Sequence, residues 1–115
     1  MEPHTFGKGE RIRKRQDYLR IYDQGVRRHT ARFTIITCRN QAGVRRLGMT
    51  VGKKAGNAAE RNRIKRLLRE FFRLNKSRLP ASLDIVIIAK KGILPLAYRD
   101  VCRELESRLI DRADA

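Results

Sequence analysis

Apolar and polar positions follow two periods along this chain, and each change of period marks an element. Between Arg61 and Arg73 the apolar residues are Ile64, Leu67, Leu68, Phe71 and Phe72. Their i, i+3, i+4, i+7, i+8 spacing draws one apolar stripe on an α-helix. At about 100° per residue, Asn62, Lys65, Arg66, Arg69 and Arg73 fall on the opposite side, with Arg61 and Arg63 flanking the stripe. The helix is predicted over about 58–75, with Gly56 relaxing the backbone before it and Asn57 as its N-cap.

The same reading extends to the rest of the chain. A short helix is predicted over 15–24, with Tyr18, Ile21 and Tyr22 on one side and Gly25 as a C′ stop. Residues 26–28 suggest a short edge strand, and a clearer one follows at 32–39, RFTIITCR. In it Phe33, Ile35 and Thr37 share one face, and Thr34, Ile36 and Cys38 the other. Asn40 to Val44 reads as a hairpin loop before a strand at 45–52. Pro80 lies in the turn after the basic helix, and LDIVIIA at 83–89 fits a strand covered on both faces. A last helix over 96–112 aligns Tyr98, Val101, Cys102, Leu105 and Leu109. The order α-β-β-β-α-β-α predicts a single α+β domain with helices packed on a small, four-stranded mixed sheet. Residues 1–14 are polar and basic, and are expected to form a flexible or loosely docked arm ahead of a domain over 15–115.

Composition narrows the function. The chain of 115 residues carries 28 Lys and Arg against 12 Asp and Glu, a formal charge of +16. Solvated helices normally interleave both signs, whereas only Glu60 and Glu70 oppose the cations of the central helix. Such an excess calls for a polyanion, and nucleic acid is the usual one. No apolar run is long enough to span a bilayer, the first residues lack a secretory pattern, and Cys38 and Cys102 have no metal-ligand spacing. A cytoplasmic protein with two free thiols is expected.

Candidate chemistry is sparse. His4 and His29 have no evident carboxylate partner, Glu60 and Glu70 are read as local ion pairs, and Asp84 opens a strand alone. Neither a catalytic nor a metal-binding set emerges, and no phosphate-cradling Gly-Lys loop is present. Tyr18 and Tyr22 stand four residues apart. From spacing alone they serve equally as core contacts or as a stacking platform for unpaired bases. The basic α+β pattern favours irregular or single-stranded RNA over duplex DNA.

The run KKAGNAAERNRIKRLLR at 53–69, with RIRKRQDYLRIYDQG before it and LDIVIIAKKG after it, resembles the bacterial ribonuclease P protein component over nearly the whole chain. The resemblance implies the small subunit of a ribonucleoprotein that removes the 5′ leader of precursor tRNA. The catalyst would be an RNA using magnesium ions, with no cofactor held by the protein alone. It assigns Arg61, Asn62, Arg63, Lys65, Arg66 and Arg69 to the ribozyme's phosphates. Lys53 and Lys54 fall near the RNA and leader. Tyr18, Tyr22 and Phe33, with Lys90 and Lys91, fall in a cleft for the single-stranded leader. Ile36 stands on that cleft where some members carry an aromatic, leaving apolar contact in place of stacking. A left-handed β-α-β crossover, a monomeric free protein and no membrane partner are also implied. The alternatives are a ribosomal or general RNA-binding protein, and a metal-dependent nuclease acting alone.

Overall fold

A computed structural model describes residues 6–110. The elements are α1 (Arg15–Gln24), β1 (Val26–His29), β2 (Phe33–Arg39), β3 (Arg46–Thr50), α2 (Ala58–Asn75), β4 (Leu83–Ala89) and α3 (Tyr98–Leu109). The sheet runs β1-β2-β4-β3, with β1/β2 and β2/β4 antiparallel and β3/β4 parallel. This is the α+β fold with a four-stranded mixed sheet that the pattern of the chain predicts.

The expected hairpin is corrected. β2 and β3 follow one another through residues 40–45 but do not pair, because β4 lies between them. The physical reason is burial: β4 is the most continuously apolar strand, with Ile85, Val86 and Ile87 all at 1 % exposure or less. A strand apolar on both faces gains most at the centre of a sheet covered on both sides. It can reach that place only by entering between its predecessors, with α2 forming the crossover from β3.

Alternation along the strands divides the interior into two layers. Phe33, Ile35, Leu47, Ile85 and Ile87 face α2 and α3, where they meet Ile64, Leu68, Phe71, Phe72, Val101 and Leu105. Ile36 and Val86 face the other way and are sealed by Ile21 of α1 and by Ile12. α2 begins where Gly56 adopts φ +150°, a conformation few side chains tolerate. Asn57 then accepts from the Glu60 N–H, while Glu60 Oε1 accepts from the Asn57 N–H, both at 2.8 Å. Glu60 is thus a capping residue and not one half of an ion pair; Glu70 does pair, with Arg73 at 2.7 Å.

Gly25 ends α1 for a reason other than a left-handed cap. Its φ is −77°, but a Cβ there would lie 2.6 Å from the Ile21 carbonyl oxygen and from Ile36 Cγ2. The chain needs the missing side chain so that α1 can turn tightly onto β2.

Over its described part, residues 6–14, the arm expected to be flexible or loosely docked lies against the sheet edge. Arg11 bridges Leu47 on the free edge of β3, and the Ile12 N–H donates to the Leu47 carbonyl at 3.0 Å. Phe6 packs edge-on against Phe72 at 5.4 Å, and Lys76 Nζ meets Glu10 Oε2 at 2.6 Å. An edge strand offers unpaired backbone groups, and this segment covers some of them. Residues 1–5, with His4, and 111–112 of the expected last helix lie outside the described residues.

Candidate nucleic-acid interface

The sheet face beneath α1 is a grid of three rows. Cys38, Asp84 and Arg46 form the first; Arg27, Ile36, Val86 and Gly48 the second; His29, Thr34, Ile88 and Thr50 the third. α1 lies over the first two. Arg20 reaches down to Asp84 and, at 3.2 Å, to Cys38 Sγ. Ile21 seals the middle row, and Tyr18 lies so close over Gly48 that a Cβ there would sit 2.6 Å from its hydroxyl. The third row is the most open one, with His29 and Thr50 exposed and Thr34 and Ile88 half-buried. Tyr22 stands at its border, its hydroxyl 3.3 Å from Thr50 Oγ1 and its ring 6.2 Å from that of Tyr18.

This geometry separates the two tyrosines. The Tyr18 hydroxyl donates to the Ile12 carbonyl at 3.2 Å and lies against the backbone N–H of Met49, so it joins the arm to the edge of β3. Burial raises its pKa above the ordinary phenol value, with the Met49 N–H opposing that shift. Tyr22 instead borders the open row, with the Arg27 guanidinium 5.7 Å from its ring centroid. Tyr22 is half-buried against the Ile12, Ile21, Ile36 and Val86 cluster, with this cation beside its ring.

Two residues assigned to the cleft are not on its surface. Phe33 is 0 % exposed and belongs to the layer under α2 and α3, on the far side of the sheet. It follows Ile35 parity along β2, and no residue of that parity reaches the α1 face. Ile36 has the right parity but lies in the covered middle row, also at 0 % exposure. The row that is open, His29, Thr34, Ile88 and Thr50, and the cation Arg27 were not singled out from the sequence. Strand alternation groups Thr34 with Ile36 on one face, but the register that aligns Thr34 with Ile88 and Thr50 is a tertiary fact.

The lysines divide as well. Lys53, Lys54 and Lys91 line a shallow hollow with Thr50 and Ile88, continuous with the open row. Lys90 turns away, donating through Nζ to the Thr30 carbonyl at 2.6 Å. On α2, Asn62, Arg63 and Arg66 are exposed and Arg61, Lys65 and Arg69 half-buried. Among the described residues no carboxylate pairs with Lys65, Arg66 or Arg69. Arg63 is anchored through Nη1 to the Leu96 carbonyl, and Arg61 Nε is buried without a hydrogen-bond partner.

Several of the acids, by contrast, are taken up by the architecture. Asp84 is fully buried and, far from standing alone, accepts Arg46 in bidentate fashion at 2.8 Å, Asn40 at 2.7 Å, and Arg20. Burial pushes its pKa up, but the donors outweigh that and hold it below the usual carboxylate value. Glu104 ties α3 to the turn before β2, accepting from Thr30 Oγ1 at 2.6 Å and the Arg32 N–H at 2.9 Å. Its pKa is likewise lowered, the hydrogen bonds prevailing over burial. Asp17 reaches Arg46, and Asp100 caps α3. No group of three His, Cys, Asp or Glu suited to a metal occurs among the described residues, and none of their helices is long and apolar enough to cross a membrane.

A helix whose Lys65, Arg66 and Arg69 meet no carboxylate, beside an open cleft bordered by an aromatic ring, defines a polyanion-binding α+β module. Comparison with known proteins gives that class a family. The ribonuclease P family model matches residues 6–114. The ribonuclease P protein component of Syntrophus aciditrophicus is 60% identical over 105 residues, 91% of this chain and 88% of the relative. That of Desulforapulum autotrophicum is 41% identical, covering 91% and 90%. Among solved structures, the Staphylococcus aureus RNase P protein superposes with a TM-score of 0.81 at 35% identity, covering 93% of this chain and 96% of that one. The Thermotoga maritima RNase P protein gives 0.80 at 34%, covering 89% and 96%. The chain belongs to the ribonuclease P protein family.

Proposed function

We propose that this chain, as the protein subunit of ribonuclease P in tRNA 5′ processing, acts as a cationic scaffold and strand guide while its RNA partner breaks the bond. The observation that carries this reading is the open third row. α1 closes Ile36, Val86 and Gly48 of that face, whereas His29 and Thr50 are exposed and Thr34 and Ile88 only half-buried between the Tyr22 ring and the hollow of Lys53, Lys54 and Lys91. A loose 5′ leader is suited to that groove: a base stacks on Tyr22, and the phosphates run toward the three lysines. Phe33 and Ile36 drop out of the contact set, and Lys90 is engaged with the Thr30 carbonyl.

Lys65, Arg66 and Arg69, with Asn62 beside them, meet the phosphates of the ribonuclease P RNA. Arg61 and Arg63 join them with the part of each guanidinium left free by the chain's own contacts. Their role is electrostatic: they offset repulsion where two RNAs converge. Magnesium enters with the RNA and supplies the hydrolytic chemistry; the described residues offer no ligand set for it. Free in the cytoplasm, the protein is read as a monomer.

The test is reconstitution. Precursor tRNA and magnesium are incubated with the protein, with a ribonuclease P RNA, and with both at near-physiological salt. Cleavage only where the RNA is present, enhanced by the protein, supports the proposal. Cutting by highly purified protein alone would overturn it in favour of a nuclease. Cleavage by the RNA that the protein leaves unchanged would point to a general RNA-binding protein.

A further inference from the structure

A second concavity lies on the other side of the β3 edge, where the arm, the strand and α2 meet. Its volume is about 570 Å³, within the range of about 300–1,000 Å³ typical of ligand sites. The floor is apolar, formed by Ile12, Leu47 and Met49. Lys8, Arg11 and Arg13 of the arm make one wall, and Lys65 and Arg69 of α2 the facing one. No carboxylate lines it. Arg11 is held in place: its guanidinium lies 4.3 Å from the centroid of the Phe6 ring and donates to the Phe6 carbonyl.

We propose that this cleft takes one unpaired nucleotide extruded from a structured RNA, its base on the Met49 floor and its flanking phosphates on the two cationic walls. The chemistry selects the occupant. Cations alone would suit any phosphate backbone, but a paired backbone presents no apolar body to fill an apolar floor. A nucleotide is flat and apolar in the middle and anionic at both ends, as the cleft is apolar below and cationic on either side. A preordered guanidinium plane adds a stacking surface at little conformational cost. The site reaches Tyr18 and Gly48 at the rim of the α1 face but shares no residue with the lysine hollow, being built mainly on the arm, β3 and α2. It deepens the assignment of α2 to the ribonuclease P RNA and rests on that assignment.

The probes are two hairpin RNAs, identical except that one carries a single bulged adenosine. The chain has two methionines, Met1 and Met49, so methyl-labelled methionine gives Met49 as one of two NMR signals. The bulged hairpin is expected to bind about tenfold more tightly at physiological salt, and to shift the Met49 methyl where the paired one does not. Lys8→Ala with Arg13→Ala, both exposed and expected to fold normally, should abolish the preference while leaving the melting temperature unchanged. Equal affinity for the two hairpins, or an unmoved Met49 signal, would overturn the proposal. So would equal weakening of both hairpins by the arm variant. Arg66→Ala, outside the cleft, should weaken both equally. If it weakens neither, the reading of α2 falls while the bulge preference still decides the cleft.

Discussion

The two ends of the α1-covered face contrast sharply. At one end Arg20 and Arg46 converge on the buried Asp84, with Asn40 completing its shell. At the other, Lys53, Lys54 and Lys91 gather around an uncovered row without a carboxylate among them. Both ends are cationic in sequence. The difference teaches that positive charge in this chain does two jobs, and that the position of an acid tells them apart. Where an acid is buried among donors, the arginines hold the fold; where none is near, the cations await a polyanion from outside.

The most damaging way to break this contrast is at its closed end. Asp84→Ala would leave two guanidinium groups facing a vacated pocket, and breaking a buried pair of this kind costs about 3–5 kcal/mol. Chemical denaturation should show that loss. Asp84→Asn should reveal its pH dependence. Because the folded pKa of Asp84 is depressed, its stabilisation is present above the unfolded value, about 3.9, and disappears as pH falls through the lower folded value. The Asn variant should therefore lack this part of the acid-induced decline while being less stable at neutrality.

At the open end, Tyr22→Ala should reduce holoenzyme affinity for precursor tRNA by about 1–3 kcal/mol, while binding of mature tRNA is unchanged. Equal loss for both substrates would mean that the ring supports structure instead of the leader. Tyr18→Phe sharpens the division between the two rings. Removing a hydroxyl that joins Ile12 to the β3 edge should lower stability by about 1 kcal/mol, with no change in precursor discrimination. The smallest effect is expected from Arg66→Ala, one exposed cation among several. It should flatten the salt dependence of binding to the RNA subunit by roughly 0.7–0.9 in log–log slope, measured by titration over a range of salt concentrations.

How much of this was legible in the sequence depends on distance along the chain. The helices at Arg15–Gln24 and Ala58–Asn75 and the strand at Leu83–Ala89 fall on their expected spans, because periodicity and capping are local signals. The cationic side of α2 was legible for the same reason. Asp84 was not, since its donors lie 38 to 64 residues away and nothing near it in sequence announces them. The misplacement of Phe33 has another origin. Strand alternation already set Phe33 and Ile36 on opposite faces, and only a family pattern had gathered both into one cleft. The anchoring of the arm was not legible because residues 6–14 show no period: single side chains such as Phe6 and Ile12 fasten it, and single anchors leave no repeat to detect.

That fastening bears on how the chain can be handled. Residues 6–12 shield part of the sheet's outer margin along β3, where bare amides and carbonyls would otherwise invite a neighbouring molecule to add a strand. A shortened form beginning after Ile12 would lose that shield together with the Phe6 and Glu10 attachments, and would tend toward self-association before any RNA could reach it.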